Sequence, residues 1–112
     1  MNIVVTGGRN YRDTHHIFKT LDELHKIHPI THLLHGDANG VDRLCGAWAI
    51  SRKIPCQAMP AQWDLHGKSA GYKRNIKMAD TKPDMLVAFP GGTGTAHMVD
   101  TCTKRRMQIW KA

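Results

Sequence analysis

Glycines 91, 92 and 94 fall between Pro90 and a stretch that reads as a helix, in AFPGGTGTAHMV (residues 88–99). Glycine costs backbone entropy in an ordered chain, so such a cluster needs a reason. One reason is chemical. Without Cβ atoms the loop leaves backbone N–H groups uncovered at a helix start, and Thr95 can add a hydroxyl. Free amides and the positive end of a helix dipole attract an anion, so Pro90, Gly91, Gly92, Thr93, Gly94 and Thr95 are candidates for a phosphate cradle. The plainer alternative is a tight strand-to-helix turn that needs glycine for packing alone. Neither GxGxxG nor GxxxxGK[ST] occurs in the chain, which weakens a dinucleotide fingerprint and a P-loop ATPase alike.

Two further clusters carry similar residues. Thr6-Gly7-Gly8-Arg9 offers close backbone approach and a cation; Arg9 either reaches an anionic group or decorates the surface. In His35-Gly36-Asp37-Ala38-Asn39-Gly40, Asp37 could accept from a ribose or base, or brace its own loop. Asp42 follows in the first turn of a helix, where the dipole stabilises an acid and Arg43 is its expected partner. Asp37 and Asp42 are also the candidate acid–base groups. Trp63 lies in an apparently irregular stretch, as a cover for a flat ligand or as a hydrophobic plug. Arg74 and Asn75 sit beside Gly71, which permits close approach, while Lys73 and Lys77 fit a solvated face.

These residues must be carried by something. Asn2–Thr6 (NIVVT) is a short β-branched run and reads as a buried strand. Asp13 is a good N-cap for a helix with Ile17, Leu21, Leu24 and Ile27 on its apolar face, stopped by Pro29. A second strand spans Thr31–Leu34, and Val41, Leu44, Cys45 and Trp48 mark the buried stripe of a second helix. Pro55–Met59 reads as a third strand and 60–68 as an irregular loop. Ser69 can cap a third helix to about Ala79, with Ala70, Ile76 and Ala79 inward. Asp84–Phe89 is a fourth, almost wholly apolar strand. A fourth helix begins near Thr95, with Met98, Val99 and Cys102 on one face and Lys104, Arg105 and Arg106 in its last turn; Met107–Trp110 closes the chain as a strand.

Alternating strands and helices, with continuously apolar strands, predict an α/β fold. The expected architecture is a single Rossmann-like doubly wound domain over 1–112, with a mainly parallel sheet of about five strands and helices on both faces. All three glycine clusters follow strands. In such a sheet they share the carboxyl edge, where ligands bind.

Composition narrows the partners. Sixteen Lys and Arg against nine Asp and Glu give a net charge of +7, which favours an anionic partner, a phosphorylated small molecule or nucleic acid. Cys45, Cys56 and Cys102 form no CxxC pair, fitting reduced and buried thiols rather than a disulfide framework. Eight histidines without a ligand set on one face give no reason to expect a metal. MNIVVTGG lacks a basic leader and cleavage site, and no apolar stretch approaches the ~20 residues of a membrane span, so a cytoplasmic protein without membrane partners is expected.

Together, TGGRNY, HGDANGVDRLCGAWA, AGYKRNIKMAD and LVAFPGGTGTAHMV resemble, in order and over nearly the whole chain, the SLOG superfamily. Within it they resemble the small stand-alone YspA-like, YpsA-related group. The wider relatives include the LOG phosphoribohydrolases and the DNA-processing protein DprA. The resemblance implies a Rossmann-like fold holding a nucleotide or nucleotide-derived ligand, in proteins proposed as sensors or processors in bacterial and phage conflict systems, and a possible homo-oligomer, since LOG relatives commonly dimerise. In LOG enzymes the motif continues PGGxGTxxE, and that glutamate serves N-glycosidic cleavage. Its position here is Met98, which can neither move a proton nor stabilise a cationic centre. The LOG catalytic arginine precedes a lysine; its nearest counterpart is Arg74, followed by Asn75.

Three functions are therefore expected in descending order. The first is binding of a nucleoside phosphate or ADP-ribose-like ligand by Gly91–Thr95, Arg9 and Arg74, with Asp37 or Asp42 on ribose hydroxyls and Trp63 on the base. The second is hydrolysis of an N-glycosidic or phosphate bond in such a ligand, with Asp37 or Asp42 as acid–base. The third is DprA-like binding of single-stranded nucleic acid, for which only Tyr11, Trp63 and Tyr72 offer stacking surfaces.

Overall fold

A computed structural model describes residues 1–112. Five strands, β1 (Asn2–Thr6), β2 (His32–His35), β3 (Cys56–Ala58), β4 (Met85–Ala88) and β5 (Gln108–Lys111), form one sheet in the order β3-β2-β1-β4-β5. Every pairing is parallel. Five helices connect them: α1 (Thr14–Ile27), α2 (Val41–Ser51), the short α3 (Trp63–His66), α4 (Ala70–Asp80) and α5 (Thr93–Lys104). This is the doubly wound Rossmann-like arrangement, in which the chain reverses direction across the sheet between β1 and β4.

Alternation along the central strands builds both cores. Ile3 and Val5 of β1, with Met85 and Val87 of β4, face α1 and α2 and pack with Ile17, Leu21, Leu24, Val41, Cys45 and Trp48. Val4, Leu86 and Ala88 face the other way, onto Met78 and Ala79 of α4 and Met98 and Cys102 of α5. A strand buried on both faces must be apolar at every position, which is why NIVVT and MLVA read as continuous runs. The Asp13 carboxylate accepts from the His16 amide and caps α1 as expected.

Several local expectations are corrected. Ile27 is 64% exposed, because it lies in the last turn of α1, beyond the point where that helix still meets the sheet. Ile76 is exposed too; Asn75 and Met78 take the inward positions on α4 instead. Cys56 is exposed because β3 is a three-residue edge strand, whereas Cys45 and Cys102 are buried. The segment expected to be irregular contains α3 and a 3-10 turn at Gly67–Ser69. Ser69 occupies the N-cap position of α4 as expected, but its hydroxyl makes no capping bond and donates instead to the His66 carbonyl. Helix α5 starts two residues earlier than expected, and only Lys104 of its three basic residues lies inside it. The ends of α2, α4 and α5 carry Lys53, Lys82 and Arg106 at positive φ, positions where helices usually use glycine. No helix is long and apolar enough to cross a membrane.

Candidate functional site

The loops after β1, β2 and β4 meet at the carboxyl edge. The Gly8 amide donates to the Pro90 carbonyl at 2.8 Å, and the Val41 amide donates to the Gly8 carbonyl at 3.2 Å. Gly91 packs so closely against this junction that a Cβ would meet Thr95 Oγ1 and stand 2.7 Å from the Gly8 nitrogen. Gly40, at φ +77°, would carry a Cβ into the Gly8 carbonyl. Gly92 and Gly94 face open space. The glycines thus divide into those that let three loops touch and those that leave a surface uncovered. Gly91→Ala should cost about 1–2 kcal/mol of stability by overpacking, and Gly92→Ala should cost well under that, as read by urea unfolding.

A cavity of about 740 Å³ opens beside this junction. The first hydrogen bond of α5 runs from the Ala96 amide to the Gly92 carbonyl, so the amides of Thr93, Gly94 and Thr95 lie outside the helical ladder. All six residues from Pro90 to Thr95 line the cavity, as do Gly7, Gly8, Arg9, Asp42, Trp63, Arg74 and Asn75. The structure therefore gathers most of the expected residues around one space.

Gly36, Asp37 and Gly40 do not line it. Gly36 lies behind Arg74: the guanidinium donates through Nη1 to the Gly36 carbonyl and occupies the space a Cβ would need. Asp37, at φ +58°, turns away, and Arg43 Nε donates to it at 3.4 Å. Arg43 also donates to Asn39, so it braces the loop rather than pairing with Asp42. The loop thus engages Asp37 with Arg43, while Asp42 lines the cavity.

Asp42 has a different setting. It is 6% exposed, and its Oδ2 accepts from the amides of both Gly36 and Ala38 at 3.2 Å each. Its Oδ1 has no donor from the protein, and the residue lines the cavity. Burial pushes its carboxyl from 3.8 up to about 6, against the pull of the two amides and the Arg74 charge. A carboxyl that titrates near neutrality and keeps one oxygen free can accept from a hydroxyl or transfer a proton.

Arg74 is half-buried. Its Nε donates to Asn75 Oδ1 at 3.1 Å and its Nη1 to Gly36, leaving the other N–H bonds of the fork free of protein acceptors. Burial makes its proton easier to lose than usual, Asp42 opposes that, and Arg9 reinforces it. A second cation so placed gains by meeting an anion. Arg9 lies over the Trp63 ring, 5.5 Å from its centroid, and Trp63 remains 49% exposed. Lys68, Asn10, Tyr11 and Tyr72 complete the rim. Lys68 gave no signal in the sequence, since it belongs to no glycine cluster and does not follow a strand directly, whereas Asn10 lies in the TGGRNY motif but was not singled out.

Met98 is fully buried in the core between the sheet and α5. The position that bears the glutamate in the phosphoribohydrolase pattern therefore points away from the cavity here.

Parallel strands in this order, with glycine loops meeting at the switch point, define a Rossmann-like doubly wound α/β protein. A sequence profile of the YspA, cpYpsA-related SLOG family matches residues 1–66. The chain is also 33% identical over 115 residues to the "Gene 61 protein" of Mycobacterium phage D29, across 96% of this chain and 92% of the phage protein. The chain belongs to the YspA, cpYpsA-related SLOG family. No solved structure matches it significantly.

Proposed function

We propose that the protein binds a nucleotide or nucleotide-derived ligand, a nucleoside phosphate or an ADP-ribose-like molecule, in the cavity at the carboxyl edge. One observation carries this reading: the uncovered start of α5 and the guanidinium of Arg74 face the same space. Amides at a helix N-terminus and a restrained arginine fork are complementary to phosphate. Asp42 Oδ1 is available to a ribose hydroxyl, and the exposed Trp63 to a base. Membership of the SLOG family supports a nucleotide-related role, and the net charge of +7 favours an anionic ligand. Native mass spectrometry of freshly purified protein should show a co-purified nucleotide, and calorimetry against nucleoside phosphates, ADP-ribose and a short oligonucleotide should rank the classes. Absence of binding to every member would sink the proposal.

A second reading, hydrolysis of an N-glycosidic or phosphate bond, is favoured by Asp42 alone, a buried carboxyl near neutrality with one oxygen open to the cavity. Chromatography after incubation with the same panel decides it: new products that vanish with Asp42→Asn support catalysis, and unchanged substrates support binding alone.

A further inference from the structure

Asn75 lines the cavity, yet it is only 4% exposed and its polar atoms are spent inside the protein. Its Oδ1 accepts from Arg74 Nε at 3.1 Å. Its Nδ2 donates to the Gly94 carbonyl at 3.1 Å and lies 3.2 Å from His97 Nδ1. These partners settle the orientation of the amide: a flipped side chain would set Nδ2 against the Arg74 donor and Oδ1 against the Gly94 carbonyl. They also settle the imidazole. Nδ2 can only donate, so His97 Nδ1 accepts and the ring proton sits on Nε2. His97 in turn packs against the Tyr72 ring, with centroids 4.5 Å apart, and Tyr72 reaches the cavity rim.

We propose that Asn75 is a positioning residue that joins Arg74 on α4 to the start of α5, so that the two halves of the anion site are held in one geometry. The inference rests on the phosphate reading of the site and adds to it. Arg74 is a flexible side chain, and the first turn of α5 follows a glycine-rich loop. Each alone would spend conformational freedom on meeting a phosphate. A single buried amide fixes both beforehand: it restrains the guanidinium at Nε and holds the Gly94 carbonyl turned away from the ligand. Asn75 itself then needs no contact with the ligand.

Two kinds of measurement test this, with inorganic pyrophosphate as the probe. Asn75→Leu keeps the number and branching of the side-chain heavy atoms and removes all three hydrogen bonds; calorimetry should show roughly a tenfold loss of pyrophosphate affinity, about one net hydrogen bond. After Arg74→Ala, the same substitution should cost only about twofold, because the partner it orients is gone. Equal losses in both backgrounds, or no loss in either, would overturn the positioning role. The second measurement needs no ligand. In nitrogen-15 spectra of the histidine rings, wild-type His97 should carry its proton on Nε2. Asn75→Asp offers His97 only acceptors, so it should move the proton to Nδ1. A wild-type His97 protonated on Nδ1, or one indifferent to Asn75→Asp, would refute the bridge whatever the ligand. Should wild type bind no pyrophosphate while the ring signal behaves as stated, the bridge stands and the phosphate reading falls, and the positioning role falls with it.

Discussion

Arg74→Ala should lower the affinity for a nucleoside phosphate by roughly a hundredfold, the worth of a charge-assisted fork on a phosphate in a partly desolvated site. Gly36→Ala should reproduce most of that loss without touching Arg74 in sequence. A Cβ at 36 occupies the space of the guanidinium, so the arginine must leave both its place and its carbonyl acceptor. Calorimetry on the two variants, with thermal melts to show that both remain folded, checks the pair. Wild-type affinity in both would mean that Arg74 faces the cavity but serves something else. Arg74→Lys is no rescue, because a lysine cannot hold Gly36, Asn75 and a ligand with one fork.

Asp42→Asn should have its largest effect on the pH dependence of stability. The carboxyl titrates at about 6 in the folded chain against 3.8 as its ordinary value, so the native state holds this proton more tightly than the unfolded state. Its stabilising contribution is complete below about pH 4 and is lost as pH rises through about 6. The burial of the charge then costs roughly 3 kcal/mol at pH 7. Asparagine keeps an oxygen for the Gly36 and Ala38 amides and never ionises. The stability of the variant relative to wild type should therefore rise by that order between pH 4 and 7. Asp22, whose carboxylate is held below its usual range by hydrogen bonds from Arg52, has the opposite slope but is common to both proteins and cancels. Urea unfolding at several pH values reads the difference directly; parallel curves would show that Asp42 is not a buried acid.

The fold was legible because the central strands of the parallel sheet announce themselves by composition. NIVVT and MLVA have no solvent side, and α1 and α2 carry stripes at helical spacing. What failed was the periphery. Ile27, Ile76 and Cys56 have the residue type of a core position but lie where a helix end, an outer flank or a short edge strand runs out of neighbours. Two of the glycine clusters that follow strands, the loops at 6–9 and 90–95, line the cavity. The β2 loop was only half legible. Residues five apart, Asp37 and Asp42, looked alike in sequence, and backbone direction separates them: one turns outward at positive φ, the other faces inward from the first turn of α2. Asn75 and Gly36 could not be understood from local sequence, since their partners are Gly94 and Arg74, 19 and 38 positions away.

The central strand β1 is the first element of the chain, yet its β4 neighbour begins at Met85. A chain emerging from the ribosome can pair β1 with β2 early, but β1 keeps one hydrogen-bonding edge open until β4 has been made. The Gly8–Pro90 bond and the start of α5 can form only after that late insertion. Pairings between distant segments are slow compared with local helix formation. The α5 side of the cavity therefore takes shape only once β4 has been inserted. A chain stalled before β4 would expose an unpaired β1 edge and lack the Pro90–Thr95 wall of the cavity.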